Sequence, residues 1–113
     1  MRLASKFFAA TIESTSGLLV PTITLYEVYK RMYQQCGEDF ALKAIAAMRK
    51  GLVVDLTASL AVMSAMVSMS EGLPMADSVI LATARAYDAA LWTQDADFAN
   101  VAGVRYVAKK LVN

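Results

Sequence analysis

Glycine and proline residues divide the chain into short segments whose apolar positions predict alternating helices and strands. Residues 3–14 carry apolar side chains close to helical spacing and are followed by Gly17, so we predict a first helix there. Short, β-branched apolar runs are typical of buried strands, and Pro21 indicates that the first such strand ends near it or lies at an edge. We predict four strands from these runs: residues 18–23, 52–56, 89–93 and 104–108.

The segments between these strands predict four further helices: residues 25–36, 38–50, 58–71 and 74–88. Thr57 is a candidate N-cap for the helix over 58–71, and Pro74 suits the first turn of the helix that follows. Met63 and Met69 belong to an apolar face of the helix over 58–71, and we expect such methionines to fill the core.

Helices that alternate with short apolar strands are typical of a parallel sheet that is covered by helices on both faces. A length of 113 residues fits one domain with a modest core. The sequence therefore predicts a single α/β domain over residues 1–113, in which helices flank a central, mostly parallel sheet.

The chain is rich in apolar residues, which make up 58% of it against about 45 to 50% in a typical domain. This excess predicts either well-covered elements or an apolar interface, and we expect a homodimer. The net charge of +1 neither favours nor excludes nucleic acid as a partner. No apolar run reaches the roughly 18 residues of a membrane span, and no signal peptide is evident, so we expect no membrane association.

The absence of histidine narrows the chemistry that the chain can perform. It excludes Ser-His-Asp catalysis, histidine general-base chemistry and histidine-based zinc sites. Cys36 is the only cysteine, so no intramolecular disulfide forms, and a reduced thiol is typical of a cytoplasmic protein. Carboxylates are the remaining strong metal ligands, and they favour hard cations such as Mg²⁺ or Mn²⁺ if a metal binds.

Three acids fall after predicted strands or at the starts of helices, where open parallel sheets collect their functional groups: Glu27, Asp77 and Asp95. Each also has a local explanation. Glu27 matches a capping box with Thr24, the helix dipole favours Asp77 in a first turn, and Asp95 suits an Asx turn or a cap. Convergence of the three carboxylates would provide oxygen ligands for a divalent cation, whereas a structural network of the same acids is the alternative.

The acids also stand in an ordered set of motifs. Glu27 lies early in the helix of "PTITLYEVYKRM", and Asp77 is the second residue of "ADSVILATA". The motif "TQDADF" at 93–98 follows an apolar strand. Together with "VRYV" at 104–107, this arrangement resembles PIN-domain ribonucleases, especially the toxins of bacterial VapBC-type toxin-antitoxin pairs. The order and spacing match over nearly the whole chain.

This resemblance implies a PIN-like three-layer fold and a metal-dependent endoribonuclease that is the toxin of a toxin-antitoxin pair. Glu27, Asp77 and Asp95 would hold Mg²⁺ or Mn²⁺, and the metal would activate a water that attacks an RNA phosphodiester. Asp97 would be a supporting acid or fourth ligand. Thr93 would orient Asp95 or a metal-bound water by hydrogen bonding.

The resemblance also implies two partners, an RNA substrate and a cognate antitoxin that covers the acidic cleft. Lys30, Arg31 and Arg85 are candidates to guide the RNA backbone, although basic residues on helices more often form a solvated face.

The sequence departs from the family pattern at its amino end. PIN domains normally begin with a central strand that ends in an Asp, and no counterpart precedes the segment 2–14. We expect its absence to leave unpaired interior edges on the strands at 18–23 and 89–93. We therefore expect that the natural protein begins upstream of Met1 or that another chain supplies a strand, and that the 113-residue form cuts RNA poorly.

Two alternative functions follow from the same residues. A catalytically impaired PIN-like binding or regulatory protein would keep the fold and the dimer surface without turnover, and a divalent cation would not stabilise it. A flavodoxin-like signalling receiver also has acids beside a parallel sheet. Its acids should cluster after the first strand, with a Lys after a later strand, and neither feature is present.

Overall fold

The computed structural model describes residues 11–14, 17–93 and 96–106. None of the helices in this part of the chain combines the length and the apolar character that crossing a membrane requires. The elements in chain order are β1 (Thr11–Ser14), β2 (Gly17–Pro21), α1 (Thr22–Cys36), α2 (Glu38–Met48), β3 (Leu52–Val54), α3 (Ala58–Glu71), α4 (Met75–Ala86), β4 (Ala90–Thr93), a 3-10 turn (Ala96–Phe98) and β5 (Val104–Tyr106).

The five described strands form one mixed sheet in the order β3-β2-β1-β4-β5. The outer pairs, β2 with β3 and β4 with β5, are parallel. The central strand β1 is antiparallel to both of its neighbours, so β2 and β4 run in the same direction on either side of it. Four strands therefore share one direction, and the predicted α/β class is confirmed.

The predicted helix over residues 3–14 is wrong for Thr11–Ser14, which form β1; residues 3–10 lie outside the described part of the chain. Ile12 is buried, whereas Thr11 and Glu13 on either side of it are exposed, which is the alternation of a strand. The prediction of unpaired interior edges on β2 and β4 is also wrong, because β1 pairs with both of them.

The other predicted elements are confirmed where the structure describes them, with boundaries that shift by up to three residues. Residues 107 and 108 of the last predicted strand lie outside the described part of the chain. The largest shift is at α1, which begins at Thr22 because Pro21 is its N-cap in an extended conformation. The predicted capping box between Thr24 and Glu27 is therefore wrong, since Thr24 is the third residue of the helix. The predicted N-cap of α3 is confirmed, because Thr57 Oγ1 accepts a hydrogen bond of 3.2 Å from the Leu60 N–H.

Helix α4 is the buried helix of the domain. Every residue from Ser78 to Ala84 is buried, and the helix packs against β2, β4, α1 and α3. Its two buried hydroxyls have backbone partners. Ser78 shares its hydroxyl proton between the carbonyls of Pro74 at 2.8 Å and Leu73 at 3.1 Å, and Thr83 donates to the Val79 carbonyl at 2.7 Å. Burial on several sides fixes the position of α4 and therefore of the backbone of its first turn.

Candidate active site

The carboxyl ends of the parallel strands lie at one edge of the sheet. Ile12 of β1 pairs with Leu19 of β2 on one side and with Leu91 of β4 on the other. Both neighbours continue for two more residues, so β2 ends at Pro21 and β4 ends at Thr93 at the same level. The parallel partners β3 and β5 end beside them. We call this edge the carboxyl edge.

Glu27 reaches this edge through α1, which begins directly after β2. It is the sixth residue of the helix and is half-buried. Thr24 lies one turn earlier on the same face of α1, about 4.5 Å along the helix axis. Its side chain is only 5% exposed, and its Oγ1 has no hydrogen-bond partner. Buried hydroxyls without a partner are rare in proteins, and one of their recognised explanations is a bound water or ion.

Asp77 is the third residue of α4 and is half-buried. Helix α4 ends at Ala86, and β4 begins four residues later at Ala90, so the carboxyl end of the helix lies near the amino end of that strand. Its first turn, which carries Asp77, consequently lies toward the carboxyl edge. Helices α1 and α4 pack against each other, and both acids therefore lie on packed helices at this edge. The positive end of the helix dipole favours a carboxylate at the position of Asp77.

The motif at 93–98 leaves the sheet at the same edge. Thr93 ends β4 and is 2% exposed, whereas Asp97 is exposed in the 3-10 turn. The turn is anchored by Phe98, whose side chain is 1% exposed in the core. Asp95 lies outside the described residues. Within the described ranges no three acids or cysteines lie close enough to hold a metal ion, so the predicted ligand set with Asp95 stays a prediction.

The three predicted RNA-binding cations occupy different surroundings. Lys30 and Arg31 are exposed on α1, and the Lys30 ammonium lies 5.9 Å from the centre of the Tyr26 ring. Arg85 lies near the other end of α4, about 12 Å along the helix from Asp77. Its guanidinium is 3.6 Å from the Glu71 carboxylate and donates a 3.0 Å hydrogen bond to the Ala102 carbonyl. These contacts connect Arg85 to α3 and to the loop before β5, whereas Lys30 and Arg31 lie on the helix of Glu27. The RNA-binding role of all three stays a prediction.

An apolar groove of about 600 Å³, which the sequence did not predict, lies between α1 and α2. Three tyrosines of α1 line it together with Ile45 of α2: Tyr26, Tyr29 and Tyr33. The rings of Tyr29 and Tyr33 are 5.9 Å apart. These tyrosines are three and four residues apart, which places them on one helix face. This spacing is the sequence feature that could have predicted an apolar surface here.

The chain is similar to known proteins both in sequence family and in fold. The family model of the PIN domain matches residues 2–104. No curated protein matches the chain. A solved structure, a toxin-antitoxin complex from Klebsiella pneumoniae, contains a chain that is similar to this one with a TM-score of 0.67 and 24% sequence identity. The similarity covers 83% of this chain and 75% of that chain, and at this identity it shows a shared fold.

Proposed function

Because the chain belongs to the PIN-domain family, we propose that it is a metal-dependent endoribonuclease and the toxin of a toxin-antitoxin pair. PIN domains are generally nucleases, which supports phosphodiester hydrolysis as the reaction. The observation that carries the proposal for this chain is the placement of Glu27 and Asp77. Both acids are half-buried on packed helices whose first turns lie toward the carboxyl edge of the sheet.

The residues at this edge fit a hard divalent cation. The available ligands are oxygen atoms, since the chain has no histidine, and Mg²⁺ and Mn²⁺ prefer such ligands. The buried Thr24 hydroxyl beside Glu27 adds an oxygen that lacks a partner within the protein. Glu27, Asp77 and Asp95 would hold the cation, with Asp97 in support. A bound cation supplies positive charge that acidifies water and stabilises the charge developing on the phosphate.

The remaining residues position the reactants. Packing of α1 against α4 restrains the two helices that carry Glu27 and Asp77, which would lower the reorganisation that binding and reaction require. Thr93 is buried two residues before Asp95 in the chain, where its hydroxyl would orient that carboxylate. Lys30 and Arg31 provide exposed positive charge on α1 for the phosphates of an RNA backbone.

We propose that this chain binds a cognate antitoxin. The similar solved chain belongs to a toxin-antitoxin complex, and this supports a partner of the same kind here. The tyrosine-lined groove continues along α1, the helix that carries Glu27. An antitoxin segment that fills this groove would lie beside the acidic edge and restrict access of RNA to it.

The metal site is tested by measuring the melting temperature of Glu27→Gln and Asp77→Asn with and without Mg²⁺ or Mn²⁺. Each variant keeps the size of the side chain but removes a negative charge, so we expect the cation to stabilise the original chain and not the variants. Asp39→Asn is the matched control, because Asp39 is an exposed acid in the first turn of α2. An equal metal response in all four proteins would contradict the proposed ligands.

The reaction is tested with the same proteins on a mixed-sequence RNA. We expect cleavage that depends on the divalent cation and that falls by at least about 100-fold in Asp77→Asn, because each carboxylate contributes charge to the cation site. Metal binding by the original chain without any cleavage would favour the catalytically impaired binding protein instead.

A further inference from the structure

A pocket of about 490 Å³ lies near the amino ends of β4 and β5, away from the carboxyl edge. It is bounded by the end of α4 and by the starts of these two strands, and small or apolar residues form most of its wall. Three charged side chains also line it: Arg85, Asp88 and Arg105. A concave pocket of this size with a few polar groups is typical of a small-molecule site.

Arg85 is held at this pocket by only one of its nitrogen atoms. Its Nη2 donates a 3.0 Å hydrogen bond to the Ala102 carbonyl and lies 3.6 Å from the Glu71 carboxylate. A guanidinium presents five N–H donors in one plane, so the Nε and Nη1 donors of Arg85 have no partner within the described residues. The fold therefore orients this side chain and leaves it donors for a ligand.

Arg105 is oriented by an aromatic ring. Its guanidinium carbon lies 5.2 Å from the centre of the Trp92 ring, and the two residues are partners in the pairing of β4 with β5. A cation-π contact restricts the guanidinium without using its N–H donors. Arg105 makes no ion pair with any acid in the described part of the chain, so its charge and its donors are available to a ligand.

The end of α4 would disfavour an anion if its carbonyls were exposed, because the helix dipole is negative there. Three carbonyls of its last turn, however, accept hydrogen bonds from the N–H groups of residues 87–89. Asp88 has a left-handed backbone with φ of 50°, a conformation that aspartate tolerates better than most residues. The chain turns back toward β4 at this point, and Asp88 becomes part of the wall of the pocket.

We propose that this pocket binds a nucleotide, with its phosphate on Arg85 and Arg105 and its sugar hydroxyls on Asp88. Guanidinium groups bind phosphate oxygens through charge-assisted hydrogen bonds. An ionised carboxylate only accepts hydrogen bonds, so Asp88 suits a sugar hydroxyl and repels a bare phosphate. The pocket therefore favours a ligand that carries both groups over inorganic phosphate. This inference does not depend on the proposed nuclease activity.

Isothermal titration calorimetry of the full chain with adenosine monophosphate, adenosine and inorganic phosphate tests this proposal. The titrations are made without a divalent cation, so the proposed metal site does not contribute. We expect adenosine monophosphate to bind at least about tenfold more tightly than either of the other two probes. The fluorescence of Trp92, the only tryptophan of the chain, should change on binding because its ring lies against Arg105.

Substitutions then test the three charged residues. Arg85→Gln and Arg105→Gln should each raise the dissociation constant of adenosine monophosphate at least about tenfold. Arg49→Gln is the matched control and should bind the nucleotide as the original chain does, because Arg49 is exposed at the end of α2. Asp88→Asn should weaken the binding of the nucleotide but not that of inorganic phosphate. Circular dichroism like that of the original chain shows that a variant is folded.

A free nucleotide and the end of an RNA strand offer the same phosphate and sugar. A short RNA strand with a terminal phosphate distinguishes them: binding about tenfold tighter than that of adenosine monophosphate assigns the RNA end, and equal or weaker binding assigns the free nucleotide. The proposal is overturned if adenosine monophosphate does not bind at millimolar concentration or if folded Arg105→Gln binds it unchanged. Tighter binding of the nucleotide by Asp88→Asn would also overturn it, because the carboxylate would then only repel the phosphate.

Discussion

Replacing Thr24 with Val should stabilise the protein in the absence of a divalent cation. Thr24 is a buried residue of α1 whose hydroxyl has no hydrogen-bond partner, and valine has nearly the same shape without the polar atom. A buried, unsatisfied hydroxyl costs roughly 1 to 3 kcal/mol, so the substitution should raise the free energy of unfolding by about 1 to 2 kcal/mol. In a domain of this size that corresponds to a rise of about 4 °C or more in melting temperature.

Thr83→Val is the matched control, because Thr83 is also a buried threonine in a helix. Its hydroxyl donates a 2.7 Å hydrogen bond to the Val79 carbonyl, and removing that bond should lower the stability by about 1 kcal/mol. The two substitutions therefore have opposite expected signs although their chemistry is identical. Urea denaturation at a fixed temperature measures both free energies.

The same pair of variants connects stability to the proposed site. If the Thr24 hydroxyl serves a bound cation or its water, Mg²⁺ should stabilise the original chain more than it stabilises Thr24→Val. The gap between the two proteins should then narrow as Mg²⁺ is added, whereas the effect of Thr83→Val should not change. A loss of stability in Thr24→Val that equals the loss in Thr83→Val would refute the reasoning, because it would mean that the Thr24 hydroxyl is satisfied within the protein.

Three further substitutions test the elements that hold the site, each by urea denaturation. Thr57→Ala should cost about 1 kcal/mol, because it removes the side-chain cap of α3, and no measurable loss would contradict that role. Gly51→Ala should destabilise the domain more than an ordinary surface substitution, since the added Cβ would lie 2.9 Å from the Leu18 carbonyl oxygen. An unchanged urea midpoint would mean that the backbone shifts to make room for the added atom. Phe98→Ala should cost about 3 to 5 kcal/mol, because the ring anchors the 3-10 turn in the core, and a loss below about 1 kcal/mol would show that the turn is held otherwise.

The sequence predicted most of the fold because its strongest signals are local. Glycine and proline mark the element ends, and Thr57 is followed by the helix that it caps. The central strand β1 could not be predicted in this way. It has four residues, and its strand character depends on pairing with Leu19 and with Leu91, which is distant along the chain. Pairing of this kind overrides the helical spacing of the preceding apolar residues.

The site and the surface of the domain also combine features that are local in the sequence with features that depend on tertiary packing. The spacing of the motifs predicted that Glu27 and Asp77 lie on helices. The pairing of β1 with both β2 and β4 is what brings the carboxyl ends of those two strands to one edge of the sheet. Periodicity also identified an apolar face on α3, but the prediction that Met63 and Met69 fill the core is wrong, because both side chains are exposed and Met69 is 79% exposed. It could not show which face the domain covers, since that depends on where α4 packs. The sequence also did not predict that the Thr24 hydroxyl lacks a hydrogen-bond partner. The same residues form a capping box if the helix begins after Thr24 and a helix interior if it begins at Thr22, as it does here.

The turn between α3 and α4 holds the part of α4 that carries Asp77. Gly72 ends α3 in the left-handed conformation, with φ of 68°, and its N–H donates to the Ser68 carbonyl. The carbonyl of the buried Leu73 accepts hydrogen bonds from the hydroxyls of Ser68 at 2.7 Å and Ser78 at 3.1 Å, one from each helix. These bonds hold the end of α3 against the first turn of α4, which carries Asp77. They restrain the turn between the two helices, so we expect the amides of residues 72–78 to be protected from hydrogen exchange.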